Sequence, residues 1–264
     1  MKILVTGLSG PIGTAVRNQL EGKFELNALN RRDVAGIKTF RADLADFDAV
    51  RTACEGQQMV IHLAAKSGEQ FSWEEFRDTN IEGTRNVFEA ARQAGVRRVI
   101  FASSGATVAG WESEEPYAAL VQGRYGEVPE SWDKIRHDEA TRPNGVYASS
   151  KVWGESLARC YADDSSTNRS TANSSGLSLI CLRIGLVNRD DRPLTPRHFS
   201  VWCSQRDLVR MIECCVEAPP ELRFDTFFVQ SENRWSYRDL THPRDVLGFE
   251  PMDAAEAYRS GGGR

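Results

Sequence analysis

The chain has 264 residues, 41% of them apolar and 27% charged, with a formal net charge of −4. That balance allows one large α/β domain with a buried core. It excludes a polyanion-binding face, because no Lys/Arg run supplies one, and no apolar stretch reaches the roughly 20 residues that a bilayer span requires.

Lys2 to Thr6 reads as a short buried strand, followed by Gly7-Leu8-Ser9-Gly10-Pro11-Ile12-Gly13. Ile12, Ala15, Val16 and Leu20 then mark one face of a helix ending near Gly22. Phe24–Leu29 is predicted as a second strand. Asp46 caps a helix carrying Phe47, Val50 and Cys54, with Gly56 as its stop. Met59–Ala64 is a third apolar run, and Ile81, Val87, Phe88, Ala91 and Ala94 line a further helix closed by Gly95. Val99–Ala102 leads into Ser103-Ser104, and Leu177–Leu182 resumes the sheet.

Between them, residues 111–143 are acidic, aromatic and rich in turn formers, and read as an excursion outside the core. Residues 163–175 form a polar low-complexity stretch, expected to be a mobile loop, and Gly261–Arg264 is expected to fray. Strands alternating with helices predict a doubly wound parallel sheet of the Rossmann type, with helices on both faces. The expected division is a dinucleotide-binding domain over 1–192 and a small substrate-binding cap over 193–260, interleaved with it.

The start Met1–Gly7 reaches glycine too early for the apolar part of a signal peptide. The six cysteines form no Cys-x-x-Cys, and the four histidines (62, 137, 198 and 242) show no metal spacing. A cytoplasmic protein with reduced thiols and no metal is expected.

Gly7, Gly10 and Gly13, with Pro11 and Ile12 between them, stand at a strand-to-helix turn. A pyrophosphate needs such a tight turn, close backbone approach and a helix N-terminus facing the anion. The second strand should end at the adenosine ribose. Leu29 is followed by Asn30, which lacks the carboxylate that would repel a 2′-phosphate, and by Arg31 and Arg32, which would pair with one. NADP is the expected cofactor, with NAD as the alternative.

Tyr147-x-x-x-Lys151 opens a helix, so the phenol and the ammonium share a face. A nearby ammonium and a bound nicotinamidium both favour a phenolate, which could act as a base. Ser104, at the carboxyl end of a strand, can hydrogen-bond the reacting oxygen. Arg197 lies in the segment 188–198, stiffened by Pro193 and Pro196, and is a candidate to grip a carboxylate or phosphate. Arg189 and Arg192 are alternatives, although Asp190 and Asp191 adjoin them.

These residues, with Asp43-Leu44, His62-Leu-Ala-Ala65, Asn80, Phe101-Ala-Ser-Ser104 and Arg183-Ile-Gly185, resemble the extended short-chain dehydrogenases, the NAD-dependent epimerase/dehydratase superfamily. Asp245–Pro251 is similar to that group's C-terminal signature. Arg197, Trp202, Ser204 and Ile212–Ala218 are similar to uronate dehydrogenases and haloarchaeal NAD-dependent glucose-6-phosphate dehydrogenases. The resemblance implies Asp43 and Leu44 near the adenine. It implies Leu63, Ala64, Ala65, Asn80, Ser103 and Ile184 along the rest of the cofactor site, and Ser67, Thr107 and Arg197 facing the substrate. It also implies a homodimer through the helices around 80–94 and 146–161.

The function expected is hydride transfer between a nicotinamide cofactor and a sugar, sugar acid or sugar phosphate, through Ser104, Tyr147 and Lys151. One alternative is a nucleotide-sugar epimerase or dehydratase. The stretch after Pro193 is short for clasping a nucleotide, and Gly105-Ala106 offers no acid pair. The other is a non-catalytic NAD(P) sensor, which the presence of both Tyr147 and Lys151 disfavours.

Overall fold

A computed structural model describes residues 1–68, 70–163 and 176–259. The first half winds as β1 (Lys2–Thr6), α1 (Pro11–Leu20), β2 (Glu25–Asn30), β3 (Lys38–Arg41), α2 (Phe47–Cys54), β4 (Met59–His62), α3 (Trp73–Phe76), α4 (Gly83–Gln93) and β5 (Arg98–Ser104). The second half adds α5 (Tyr117–Gln122), α6 (Val146–Asp163), β6 (Ser178–Ile184), α7 (His198–Val201), α8 (Gln205–Glu217), β7 (Phe224–Val229) and α9 (Thr241–Leu247). The seven strands form one parallel sheet in the order β3-β2-β1-β4-β5-β6-β7. The strand order reverses between β1 and β4, and such a switch point opens a crevice beyond the carboxyl ends of the strands.

The strands read as continuous apolar runs because the sheet is covered on both faces. On one face α1 and α8 bury Val16, Leu20, Leu208 and Ile212 against Ile3, Val5 and Ile180. On the other, α2, α4 and α6 bury Val50, Val87, Phe88 and Ala158 against Leu4, Val60 and Val99. Asp46 caps α2 as its position predicts, accepting from the Ala49 amide. The helix before β5 starts earlier than its apolar periodicity suggests. Its first stretch is α3, followed by a π-helical segment over Arg77–Glu82.

Residues 193–260 supply β7 and α8, so the sheet and its helical layer draw on both parts of the chain. Residues 111–143 differ from their reading as an excursion outside the core. Leu120 and Ile135 are buried in a third apolar cluster with Val108, Phe228 and Tyr237, flanked by Trp111, Trp132 and Trp235. The polar composition hid this, because the partners come from β7 and the C-terminal segment. The polar stretch after Asp163 and the tail from Gly261 lie outside the described residues. Among the described residues no helix is long and apolar enough to cross a membrane.

Candidate active site

The turn after β1 is built for close approach. Gly7 has φ of +72°, and a Cβ there would lie 2.9 Å from the Ala64 backbone. A Cβ on Gly13 would lie 2.4 Å from the Leu8 carbonyl, so only glycine lets α1 begin against the cradle. Gly10 is the N-cap and Pro11 opens the helix, and the first amides of a helix have no intrahelical acceptor. The cradle therefore presents free backbone donors to an anion.

Asn30 ends β2 at 7% exposure, and its Nδ2 is buried with no hydrogen-bond partner. An orphaned buried donor at this strand end fits a ribose hydroxyl. Arg31 and Arg32 are exposed beside it and make no ion pair among the described residues. The cradle and the orphaned amide together fit a dinucleotide.

The other residues that the sequence nominates for the cofactor fall into two groups. Leu63, Ala64 and Ala65 are half-buried on the strand end facing the cradle, held by Thr6, whose hydroxyl accepts from the Ala64 amide at 3.1 Å. Asp43 is exposed and its Oδ1 accepts from Ala45. Leu44, Asn80, Ser103 and Ile184 are buried and use their side chains inside the protein. Leu44 packs beside Gly83, and Ile184 belongs to the core under β6. Asn80 accepts from the Lys66 amide at 2.8 Å and donates to the Lys66 carbonyl and to Ser150 Oγ. It clips the segment after β4 to α6. Ser103 donates to Glu155 Oε1 at 2.5 Å.

Ser104 ends β5, and its Oγ accepts from the Ala106 amide at 3.1 Å. Tyr147 lies in the first turn of α6, near enough to Ser104 for that hydroxyl to favour the phenolate. Lys151 lies one turn on, at 3% exposure, with Nζ donating to the Ala102 carbonyl at 2.7 Å and 5.8 Å from the Tyr147 ring centre. Gly154 lets α6 sit tight on β5, since a Cβ there would lie 2.6 Å from the Phe101 ring. Serine, phenol and ammonium thus converge at the crevice.

Burial pushes the Tyr147 phenol up, and the Ser104 hydroxyl pulls the other way. The sequence suggests a lowered value, but in the chain by itself burial prevails. Burial also takes the Lys151 ammonium down to about 7, opposed by the charge of Glu155. His62 is fully buried between Thr6 and Thr84 and is pushed down to about 3 by burial and by Lys151, so it stays neutral.

Sequence reasoning overlooked Glu155, a further turn along the same face as Tyr147 and Lys151. It is buried and takes both Nε and Nη2 of Arg183, at 3.0 and 2.8 Å. The four-residue spacing Tyr147, Lys151, Glu155 was the available signal.

Of the substrate candidates, Ser67 is exposed, while Thr107 is fully buried with its hydroxyl donating to the Ser104 carbonyl at 2.8 Å. Arg197 donates to Glu112 from Nε and Nη2, at 2.6 and 2.7 Å. Burial pushes the Glu112 carboxyl up, but the Arg197 guanidinium overrides it and holds the group below its usual range.

His137, Asp225 and His242 also come together, with their possible ligand atoms within 4.8 Å of one another. Their two rings stack face to face with centres 3.5 Å apart and planes 5° apart. His242 Nε2 lies 2.9 Å from Asp225 Oδ1, so the cluster as it stands is a ring stack with one hydrogen bond.

Residues 3–183 match the NAD dependent epimerase/dehydratase family. The chain belongs to that family. It is 28% identical over 266 residues to the NAD-dependent glucose-6-phosphate dehydrogenase of Haloferax volcanii, covering 97% of this chain and 95% of that one. It is 28% identical to the L-arabinose 1-dehydrogenase (NAD(P)(+)) of the same organism, covering 96% of each. The crystal structure of uronate dehydrogenase from Agrobacterium tumefaciens superposes with a TM-score of 0.80 at 32% identity, covering 98% of this chain and 86% of that one. These three relatives, which the chain matches over nearly its whole length, are dehydrogenases of sugars, a sugar phosphate or sugar acids, which favours that activity over epimerisation.

Proposed function

We propose that this chain is an NAD(P)-dependent dehydrogenase that oxidises a sugar, sugar acid or sugar phosphate at a carbinol carbon. The observation that carries the reading is the convergence of Ser104, Tyr147 and Lys151 beside the glycine cradle. Gly7, Gly10, Pro11, Ile12 and Gly13 would hold the pyrophosphate, Asn30 and Arg31 the adenosine ribose, and Leu63, Ala64 and Ala65 the nicotinamide half. When bound, the nicotinamide supplies the two-electron acceptor.

The residues of the chain manage the proton. Ser104 Oγ orients the substrate hydroxyl, and Tyr147 Oη takes its proton as a phenolate. Lys151 supplies the positive charge that makes the phenolate accessible. Asn80 fixes the segment after β4 against α6, and Ser67 and Arg197 flank the substrate, with 193–260 as the substrate-binding portion. Exposed Arg31 and Arg32 beside a residue without a carboxylate support NADP over NAD. The free state of all six cysteines is compatible with a cytoplasmic enzyme. A homodimer through α4 and α6 belongs to the same reading, and light scattering that gives a monomer at micromolar concentration contradicts it.

Product analysis tests the activity. A dehydrogenase accumulates an oxidised sugar with one reduced nicotinamide per turnover. An epimerised product with no net cofactor reduction would assign the chain to the epimerases instead.

A further inference from the structure

Glu112 lies in the short 3-10 helix Gly105–Ser113 that continues directly from Ser104. Its carboxylate is fully engaged, taking Arg197 Nε at 2.6 Å, Arg197 Nη2 at 2.7 Å and the Tyr237 hydroxyl at 2.6 Å. Behind Tyr237 stands Arg238, at 2% exposure, with Nη2 donating to Tyr237 Oη and to the Gly105 carbonyl, both at 3.1 Å. The network ties the turn after the catalytic strand to the segment before α7 and to the segment before α9.

The Nε–Nη2 edge of a guanidinium is one that clamps a carboxylate or phosphate in two parallel hydrogen bonds. In Arg197 that edge is filled by the chain's own carboxylate. An anionic substrate there would displace a group already desolvated and held by three donors, exchanging like for like. On the remaining Nη1 side it would lie close to Glu112, whose charge offsets that of the guanidinium. Arg238 brings a second positive charge, but at 2% exposure its guanidinium lies against Gly105 behind Tyr237, with Nη2 already committed. An uncharged sugar needs only hydroxyl contacts and meets no such competition.

We propose that Glu112 is the specificity-determining residue of this site, turning the enzyme toward uncharged aldoses and away from uronates and sugar phosphates by occupying Arg197. The inference rests on the dehydrogenase reading above.

The test compares kcat/KM for neutral aldoses, the matching uronates and aldose phosphates. The proteins are wild type, Glu112→Gln and the double variant Glu112→Gln/Arg197→Gln. Wild type is expected to favour the neutral sugar by at least about tenfold. Glu112→Gln frees Arg197 and should raise the acid-to-neutral ratio at least about tenfold, through a lower KM for the acid. The double variant should return that ratio to within about threefold of wild type. A wild-type preference for the acid, or an unchanged ratio in Glu112→Gln, overturns the proposal. If Glu112→Gln does not fold, the double variant decides alone. An Arg197 that reads the acid in the wild type would make the ratio collapse there and overturn the proposal, whereas a ratio within about threefold, with the wild-type preference for the neutral sugar, is the result expected of a guanidinium already occupied. Wild type that reduces cofactor with none of these sugars overturns the dehydrogenase reading and this inference with it, whereas turnover that prefers acids overturns this inference alone.

Discussion

At the scale of single residues, Lys151 carries opposed demands. In the proposed mechanism its ammonium must be charged to serve Tyr147, yet burial takes it down to about 7, against about 10.4 for a lysine in the unfolded chain. Between those values the unfolded chain binds more protons, so the stability of the folded state rises with pH. Below about 7 both states hold the proton and the cost of burying the charge is present in full. Lys151→Met should therefore abolish turnover while stabilising the unliganded protein at pH 7, by about 1–2 kcal/mol. That gain should shrink toward pH 10. Urea unfolding of both proteins at pH 7, 8.5 and 10 checks this, and a difference constant with pH would show that Lys151 is not the titrating group. Glu155 belongs to the same balance, since its charge opposes the effect of burial on Lys151.

At the scale of elements, the cradle and α1 work as one piece. Gly13→Ala would press a Cβ against the Leu8 carbonyl, and overpacking of this kind costs about 1–3 kcal/mol. The helix N-terminus would shift, so cofactor affinity should fall about tenfold or more by calorimetry. Wild-type affinity in this variant would show that the cradle does not hold the pyrophosphate. Much of this level was legible in the sequence, because a buried parallel strand is a continuous apolar run and a two-sided sheet imposes glycine at its first turn. The edge strand β3, Lys38-Thr39-Phe40-Arg41, was not legible, because a short edge strand needs only one or two apolar residues. The third apolar cluster was hidden for another reason. Ile135, Phe228 and Tyr237 meet across long separations that no local periodicity records. The same separation concealed the pairing of Glu112 with Arg197, whereas Glu155 was within reach at one turn from Lys151.

At the scale of the whole molecule, the strand order would set the cofactor across the switch point, beside the proposed catalytic residues at the end of β5 and the start of α6. Cofactor choice belongs to this scale because it depends on the field at the far end of β2. Arg31 and Arg32 should make NADP bind about tenfold more tightly than NAD, equivalent to about 1.4 kcal/mol. Calorimetric titration with each cofactor decides it, and equal affinities would mean that both arginines remain solvated. The central claim is that Tyr147 moves the proton in a nicotinamide-linked sugar oxidation. Reduction of the nicotinamide by wild type and by Tyr147→Phe, followed across a panel of aldoses, uronates and sugar phosphates, tests it most directly. The account predicts that wild type turns over at least one of these sugars. Tyr147→Phe should bind cofactor within about threefold of wild type and lose roughly a hundredfold or more in rate. Retention of the wild-type rate by Tyr147→Phe on that sugar would contradict it.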